Sequence, residues 1–263
     1  FTPYTAQVEM ARGIPVELDT YEEEDFQINI DRLKSLITPR TRALIINTPS
    51  NPTGSCLSAD TLGEIAKIAE EEDLIVIADD IYTSYSFEKD FIPFMSMPGM
   101  RERTITINSF SKNFIMTGWR VGNIIAPAFI VRVLKDMGEN IVYSAPAPSQ
   151  RAAIYALRNR KVIQPPIIAE YRKRMEYAAE RINRIPWMSV ITPPKGSFYL
   201  FINIKKSGLS SLDAADMILE KAHVLLLPGN AFGRCGEGYL RLACTVGVDK
   251  LEEAFDRIEK IEL

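Results

Sequence analysis

Four short segments place polar side chains where apolar runs end, and in an open α/β sheet the strand ends are where ligands bind. Asn51-Pro52-Thr53-Gly54 joins an amide to proline and glycine, a composition that also makes an ordinary turn. Asp79-Asp80-Ile81-Tyr82 sets two carboxyls and a phenol after an apolar run, where an acid can serve a site or merely cap the sheet edge. Ser109-Phe110-Ser111-Lys112 offers an amine, the group that covalent and acid–base catalysis both use, although a lone lysine in a loop more often has no such task. Gly118-Trp119-Arg120-Val121-Gly122 puts a guanidinium between glycines that permit a tight backbone, and taken alone Arg120 reads equally well as a surface charge.

The elements that must carry these segments are readable from the apolar pattern. Arg42–Asn47, Leu74–Ala78, Thr104–Asn108 and Val121–Ile125 read as strands, and the second is apolar throughout, as a strand buried on both faces requires. Ser58 reads as the cap of a helix whose Leu62, Ile65, Ala66, Ile68 and Ala69 share one face. Strand, helix, strand in this order predicts an α/β fold with a mostly parallel sheet and helices on both faces. Farther on, the expectation is a helix over 148–158 and a long polar helix from Pro165-Pro166 to about Asn183, without an apolar stripe along its whole length. Strands at 188–191, 198–204, 224–227 and 239–243 and helices at 212–222 and from Asp249 then predict a smaller α+β C-terminal domain. The boundary is placed in the long helix, giving domains 1–165 and 166–263.

Taken together, the four segments resemble the fold-type I, pyridoxal-phosphate-dependent aminotransferases of class I/II, the group with the aspartate and aromatic aminotransferases. Ser109–Lys112 with Met116-Thr117-Gly118-Trp119-Arg120-Val121-Gly122 is similar to that family's cofactor-lysine signature. The likeness continues through Pro194–Tyr199, Pro228-Gly229-Asn230-Ala231-Phe232-Gly233 and Gly238-Tyr239-Leu240-Arg241-Leu242, and so spans essentially the whole chain.

The resemblance implies a division of labour. Lys112 would attach to the aldehyde of pyridoxal 5'-phosphate and move the substrate α-proton. Asp79 would pair with the pyridine nitrogen and keep it protonated, so that the ring accepts electrons. Tyr82 and Asn51 would hydrogen-bond the phenolic oxygen. Arg120 and Ser109 would hold the phosphate, with Ser111 adding a contact, and Arg241 would clamp the substrate α-carboxylate through its planar fork. Phe1 falls where the family places a ring stacked on the cofactor. Ser144 resembles a position that reaches the neighbouring subunit's phosphate in dimeric relatives. Asn140 stands where some aspartate-specific members carry an arginine. The implied activity is transfer of an amino group between an α-amino acid and a 2-oxo acid by a ping-pong route, in a homodimer. A carbon–sulfur β-lyase, a cyclopropane-forming synthase and a non-catalytic sensor domain are the alternatives. Family members also carry an N-terminal segment with a glycine-rich phosphate loop, and none precedes Phe1. The expectation is therefore an incomplete large domain, in a fragment that lacks activity by itself.

Composition is consistent with this reading and narrows it. The 263 residues are 46% apolar and 25% charged, the mix of a globular protein. A net charge of −3 is too mild to point to nucleic acid or an anionic membrane as partner. No apolar run is long enough to span a bilayer. Cys56, Cys235 and Cys244 are scattered and odd in number, which suits a reducing cytoplasm. The single histidine, His223, borders the apolar run Val224–Leu227, where a packing role is expected, and one histidine is too few for a histidine-based metal centre.

Overall fold

A computed structural model of the protein describes residues 1–263. In chain order its elements begin with helix α1 (Pro3–Met10), helix α2 (Ile30–Leu36), strand β1 (Ala43–Asn47), helix α3 (Ala59–Glu71) and strand β2 (Ile75–Asp79). Strand β3 (Thr104–Ser109), the one-turn helix α4 (Phe110–Asn113), strand β4 (Gly122–Ile125) and helices α5 (Ala128–Ile141), α6 (Ala147–Arg158) and α7 (Arg160–Ile182) follow. Strand β5 (Tyr199–Asn203), helix α8 (Ser211–Ala222), strand β6 (Leu227–Pro228), strand β7 (Tyr239–Ala243) and helix α9 (Val248–Ile258) complete the chain. The residues group into two compact units. One comprises Ile28–Pro49 and Cys56–Ile168; the other comprises Phe1–Gln27, Ser50–Ser55 and Ala169–Leu263.

The first unit is built on a sheet of order β1-β2-β3-β4. β1, β2 and β3 run parallel and β4 returns antiparallel to β3, so the sheet is mixed and mostly parallel, as expected for an α/β fold. Val76 and Ala78, on one face of β2, are fully buried, while Ile75 and Ile77 on the other face are partly buried, so the unbroken apolar run covers one closed and one half-covered face. Helix α3 starts where the Ser58 hydroxyl accepts the Thr61 N–H at 3.0 Å, and it buries Leu62, Ile65, Ala66, Ile68 and Ala69. A second cluster of Phe110, Met116, Val121, Ala153 and Ala156 packs α4 and the segment after it against α6.

The second unit holds an antiparallel sheet of order β5-β7-β6. Leu200, Ile202, Leu240 and Leu242 are buried, as are Ile218 of α8 and Leu251, Phe255 and Ile258 of α9. The part of α7 in this unit buries Tyr171, Met175, Ala178, Ala179 and Ile182, a helical stripe that the expected all-polar helix lacks. Its Arg181 is 7% exposed and donates to Asp256 at 2.7 Å, Glu259 at 2.8 Å and the Tyr177 hydroxyl at 2.7 Å.

Several expectations need correction. Helix α1 had no counterpart among the expectations; Pro3 lies in its first turn, where a missing N–H is harmless. Helix α7 begins at Arg160, so Pro165 and Pro166 lie inside it, just past the first turn where intrahelical donors begin. The expected strand at 224–227 shrinks to Leu227–Pro228. His223 ends α8 in a left-handed conformation (φ +55°) and is exposed, so it does not pack, and Leu225 is 70% exposed. The expected strand at 188–191 reduces to one antiparallel bridge, Ser189 to Asn203. Helix α5 had no counterpart among the expectations. Its Phe129, Val133, Met137 and Ile141 recur every four residues and are all exposed.

Candidate functional site

The register of the mixed sheet decides which candidate residues meet. Asp79 is the last residue of β2 and pairs with Asn47 on one side and Ile107 on the other. The Asn47 amide donates to the Asp79 carbonyl at 2.9 Å, fixing the strand end from which the carboxylate projects. Asp79, Asp80 and Tyr82 are all buried. Burial, and secondarily the charge of Asp79, push the Asp80 carboxyl up to about 7. Asp80 therefore holds its proton into the neutral range.

The neighbouring strand β3 ends at Ser109, whose hydroxyl accepts the Ser111 N–H at 3.1 Å and starts the turn of α4 that carries Lys112. That turn is locked by groups that the sequence reading did not single out. The buried Tyr85 hydroxyl donates to the Lys112 carbonyl at 2.8 Å. The Asn113 amide accepts the Ser84 N–H at 3.2 Å and donates to the Thr83 hydroxyl at 2.9 Å. Gln164 donates to the Ser84 hydroxyl at 2.8 Å. The loop after Tyr82 and the turn of Lys112 are thus one hydrogen-bonded body.

Ser109 is paired with Gly122 across β3 and β4, and the Phe110 N–H bonds the Val121 carbonyl at 3.2 Å. A Cβ on Gly122 would lie 2.7 Å from the Asn108 carbonyl oxygen, so the close strand approach needs glycine there. Arg120 is exposed and left-handed (φ +49°), and donates to the Thr117 carbonyl at 2.9 Å. Asp79, Tyr82, Ser109, Ser111, Lys112 and Arg120 accordingly belong to one unit and to the ends of adjacent strands.

Asn51, Arg241 and Phe1 belong to the other unit. Arg241 lies in the middle of β7, and its Nη1 donates to the Asn51 Oδ1 at 2.9 Å. Asn51 is buried in a tight turn where the Ser50 N–H bonds the Ser55 carbonyl and the Gly54 N–H bonds the Ser50 carbonyl. The Arg241 guanidinium also lies against the rings of Tyr199 and Phe232. Glu237, the acid that a purely structural Arg241 would be expected to pair, instead accepts from the Ser211 N–H and the Asn230 amide. Phe1 is half-exposed ahead of α1, edge-on to Tyr4 with centroids 5.5 Å apart. Asn140 and Ser144 are exposed, and Asn140 bonds the Asp136 carbonyl within α5.

In chemical terms the first unit offers a buried carboxylate, a buried phenol, a primary amine and a hydroxyl–guanidinium pair; the second offers a guanidinium and an amide. Tyr85, Asn113, Tyr199 and Phe232 escaped the sequence reading. Tyr199 and Phe232 lie within the quoted motifs, but only the sheet register and the turn geometry bring them to Arg241.

The aminotransferase class I and II family matches residues 1–258. The chain is 42% identical over 268 residues to aromatic-amino-acid aminotransferase 2 of Thermococcus litoralis, an alignment covering 99% of this chain and 67% of that one. It is 43% identical to the aspartate aminotransferase of Pyrococcus abyssi with the same coverage. Among solved structures, an aromatic aminotransferase from Pyrococcus horikoshii superimposes with a TM-score of 0.94 at 40% identity, covering 99% of this chain and 70% of that one. An aspartate aminotransferase from Thermus thermophilus with maleate gives 0.92 at 29% identity, with 98% and 67% covered. The chain belongs to the aminotransferase class I and II family, whose members depend on pyridoxal phosphate, and it has the type I fold of that family. Its function is that of an aminotransferase acting on amino and oxo acids. The relatives' names disfavour the lyase, synthase and sensor readings. No helix is long and apolar enough to cross a membrane.

Proposed function

We propose that this aminotransferase holds pyridoxal 5'-phosphate on the unit of Ile28–Pro49 and Cys56–Ile168, with Lys112 as the residue that joins the cofactor aldehyde. The observation that carries the reading is the placement of Asp79 and Ser109 at the ends of adjacent strands, with Lys112 three residues beyond Ser109 on a turn pinned by Tyr85. The donor set fits the cofactor group for group. The buried Asp79 carboxylate matches a protonated ring nitrogen, and the Tyr82 phenol matches the phenolic oxygen. The Lys112 amine matches the aldehyde, and Ser109, Ser111 and Arg120 match the phosphate. When bound, the cofactor supplies the electron sink for the substrate's α-carbon.

The protein's own residues then have defined tasks. The Lys112 Nζ would accept the substrate α-proton and pass it on to the cofactor carbon. Asp79 keeps the ring nitrogen charged. Arg241 binds the α-carboxylate bidentately, steadied by Asn51, which has a second assignment at the phenolic oxygen. Phe1 is assigned to stacking on the ring. A division into a cofactor domain and a small domain, expected at 1–165 and 166–263, is part of this proposal, with Phe1–Gln27 and Ser50–Ser55 grouped with the C-terminal residues. So are a homodimer, which the family resemblance supports, and a cytoplasmic setting, supported by the scattered cysteines. The relatives' names put aspartate and the aromatic amino acids first among donors to assay.

Borohydride reduction of the cofactor-loaded enzyme followed by peptide mapping tests the assignment. The expected adduct is on Lys112, and Lys112→Ala should abolish it while phosphate contacts still retain some cofactor. An adduct on Lys89, Lys135 or any other lysine refutes the reading.

A further inference from the structure

One face of the small sheet is aromatic and polar. Phe201 faces Arg241 and Asn203 faces Tyr239 in the β5–β7 register. Side chains alternate along a strand, so Tyr199, Phe201, Asn203, Tyr239 and Arg241 share that face, while Leu200, Ile202, Leu240 and Leu242 take the other. On the first face the guanidinium carbon of Arg241 lies 4.5 Å from the Tyr199 ring centroid and 4.7 Å from that of Phe232. Both distances are inside the reach of a cation–π contact.

The two rings are themselves held. Phe232 meets Phe201 edge-on at 6.4 Å, Phe201 stacks on Tyr239 at 4.7 Å with planes 3° apart, and Phe26 packs edge-on against both of the latter. Tyr199 packs on Phe198 at 4.6 Å. Phe232 reaches the face because its short helical turn, Gly229–Phe232, begins at a glycine pressed onto another glycine: a Cβ on Gly229 would lie 2.2 Å from the Gly236 carbonyl oxygen.

We propose that Tyr199 and Phe232 are positioning residues that fix the plane of the Arg241 guanidinium, and that the enzyme's preference for substrates bearing a carboxylate depends on them. The inference rests on the reading of Arg241 as the carboxylate-binding residue. An arginine side chain loses the freedom of several rotatable bonds when it orders; the hydrogen bond to Asn51 acts at the edge of the guanidinium, and the two rings lie against its central carbon. Two braced rings remove that freedom before substrate arrives, so the fork meets both carboxylate oxygens without an ordering cost at each binding event. Aromatic rings suit this task better than an acid would. Their faces attract a cation without cancelling its charge, so the guanidinium keeps its attraction for an anion.

The test is calorimetric titration of the cofactor-loaded enzyme with 3-phenylpropanoate and with the uncharged 3-phenylpropan-1-ol, which carries the same apolar body. The wild type should prefer the carboxylate. Phe232→Leu and Tyr199→Leu should each weaken carboxylate binding about tenfold and leave the alcohol unchanged, whereas Phe232→Tyr and Tyr199→Phe, which keep a ring, should retain the preference. With amino-acid substrates the leucine variants should raise KM more than they lower kcat. Phe232 is only half-buried in its turn, so its variants carry the test if Tyr199→Leu does not fold. Leucine variants that keep the wild-type preference, or that lose both ligands equally, overturn the proposal while leaving the Arg241 assignment standing. A wild type with no carboxylate preference overturns both, and borohydride mapping reports on Lys112 separately.

Discussion

Asp80 offers a quantitative check on the electrostatics of the candidate site. It is 2% exposed and follows Asp79 directly, and burial together with that neighbour's charge moves its carboxyl from 3.8 to about 7. A carboxyl raised in the folded state keeps its proton where the unfolded chain has already released it. From about pH 4 to about pH 7 the native state therefore binds the extra proton, and stability falls as pH rises through that window and levels off above it. A tenfold change in proton affinity is worth about 1.4 kcal/mol, so the whole displacement is of order 4 kcal/mol, an upper bound because local opening admits water. About 2–3 kcal/mol of it falls between pH 5 and pH 8. Asp80→Asn replaces the titrating group by a neutral one of the same shape. Urea unfolding of both proteins at pH 5 and pH 8 should show the variant gaining on the wild type by that amount as pH rises. Parallel stability profiles would mean that Asp80 is ionised or hydrated in the native state and refute its displaced titration.

Two further outcomes follow from packing. Arg181→Met removes three charge-assisted or polar hydrogen bonds from a buried guanidinium and should lower unfolding free energy by about 1.5–3 kcal/mol in urea titration, whereas a loss under about 0.5 kcal/mol would show the network behaving as surface pairs do. Gly229→Ala drives a methyl group into two backbone carbonyls, at 2.2 Å and 2.7 Å, and should destabilise the protein by about 1–3 kcal/mol and displace Phe232. Gly63→Ala, a helical site in α3 whose nearest neighbour is the flexible end of Met97 at 3.7 Å, should instead stabilise it by about 0.5–1 kcal/mol in the same assay.

Reading strands from sequence succeeded where an apolar run was short and sharply ended. Leu74–Ala78 is such a run in a central strand, with one face closed and the other partly covered, and the change to Asp79-Asp80 marks its end. The reading failed where local pattern and context separate. Val224–Leu227 is as apolar as any strand in the chain, but the left-handed residue His223 turns the backbone and leaves Leu225 in solvent. Pro165 and Pro166 suggested a helix start, yet α7 begins at Arg160, which places both prolines beyond the first turn, where a missing donor costs an intrahelical bond. Among candidate site residues, those at strand ends were legible because the end of an apolar run marks them. Tyr199 and Phe232 were not, since they are 33 positions apart and reach Arg241 only through an antiparallel register and a glycine-dependent turn.

The two sets of candidate residues follow one principle of construction. In each, the functional side chain projects from a backbone whose own polar groups are already bonded: Asp79 through Asn47, Lys112 through Tyr85, Ser109 through β4, Arg241 through β5 and β6. For Lys112, the bond from Tyr85 to its carbonyl fixes the backbone from which the amine proposed to move a proton projects. An arginine that selects by shape needs a fixed tip as well as a fixed root. The rings of Tyr199 and Phe232 supply that at the tip. Both arrangements fix the groups before a ligand arrives, which is what the tasks proposed for them, moving a proton and recognising an anion, require.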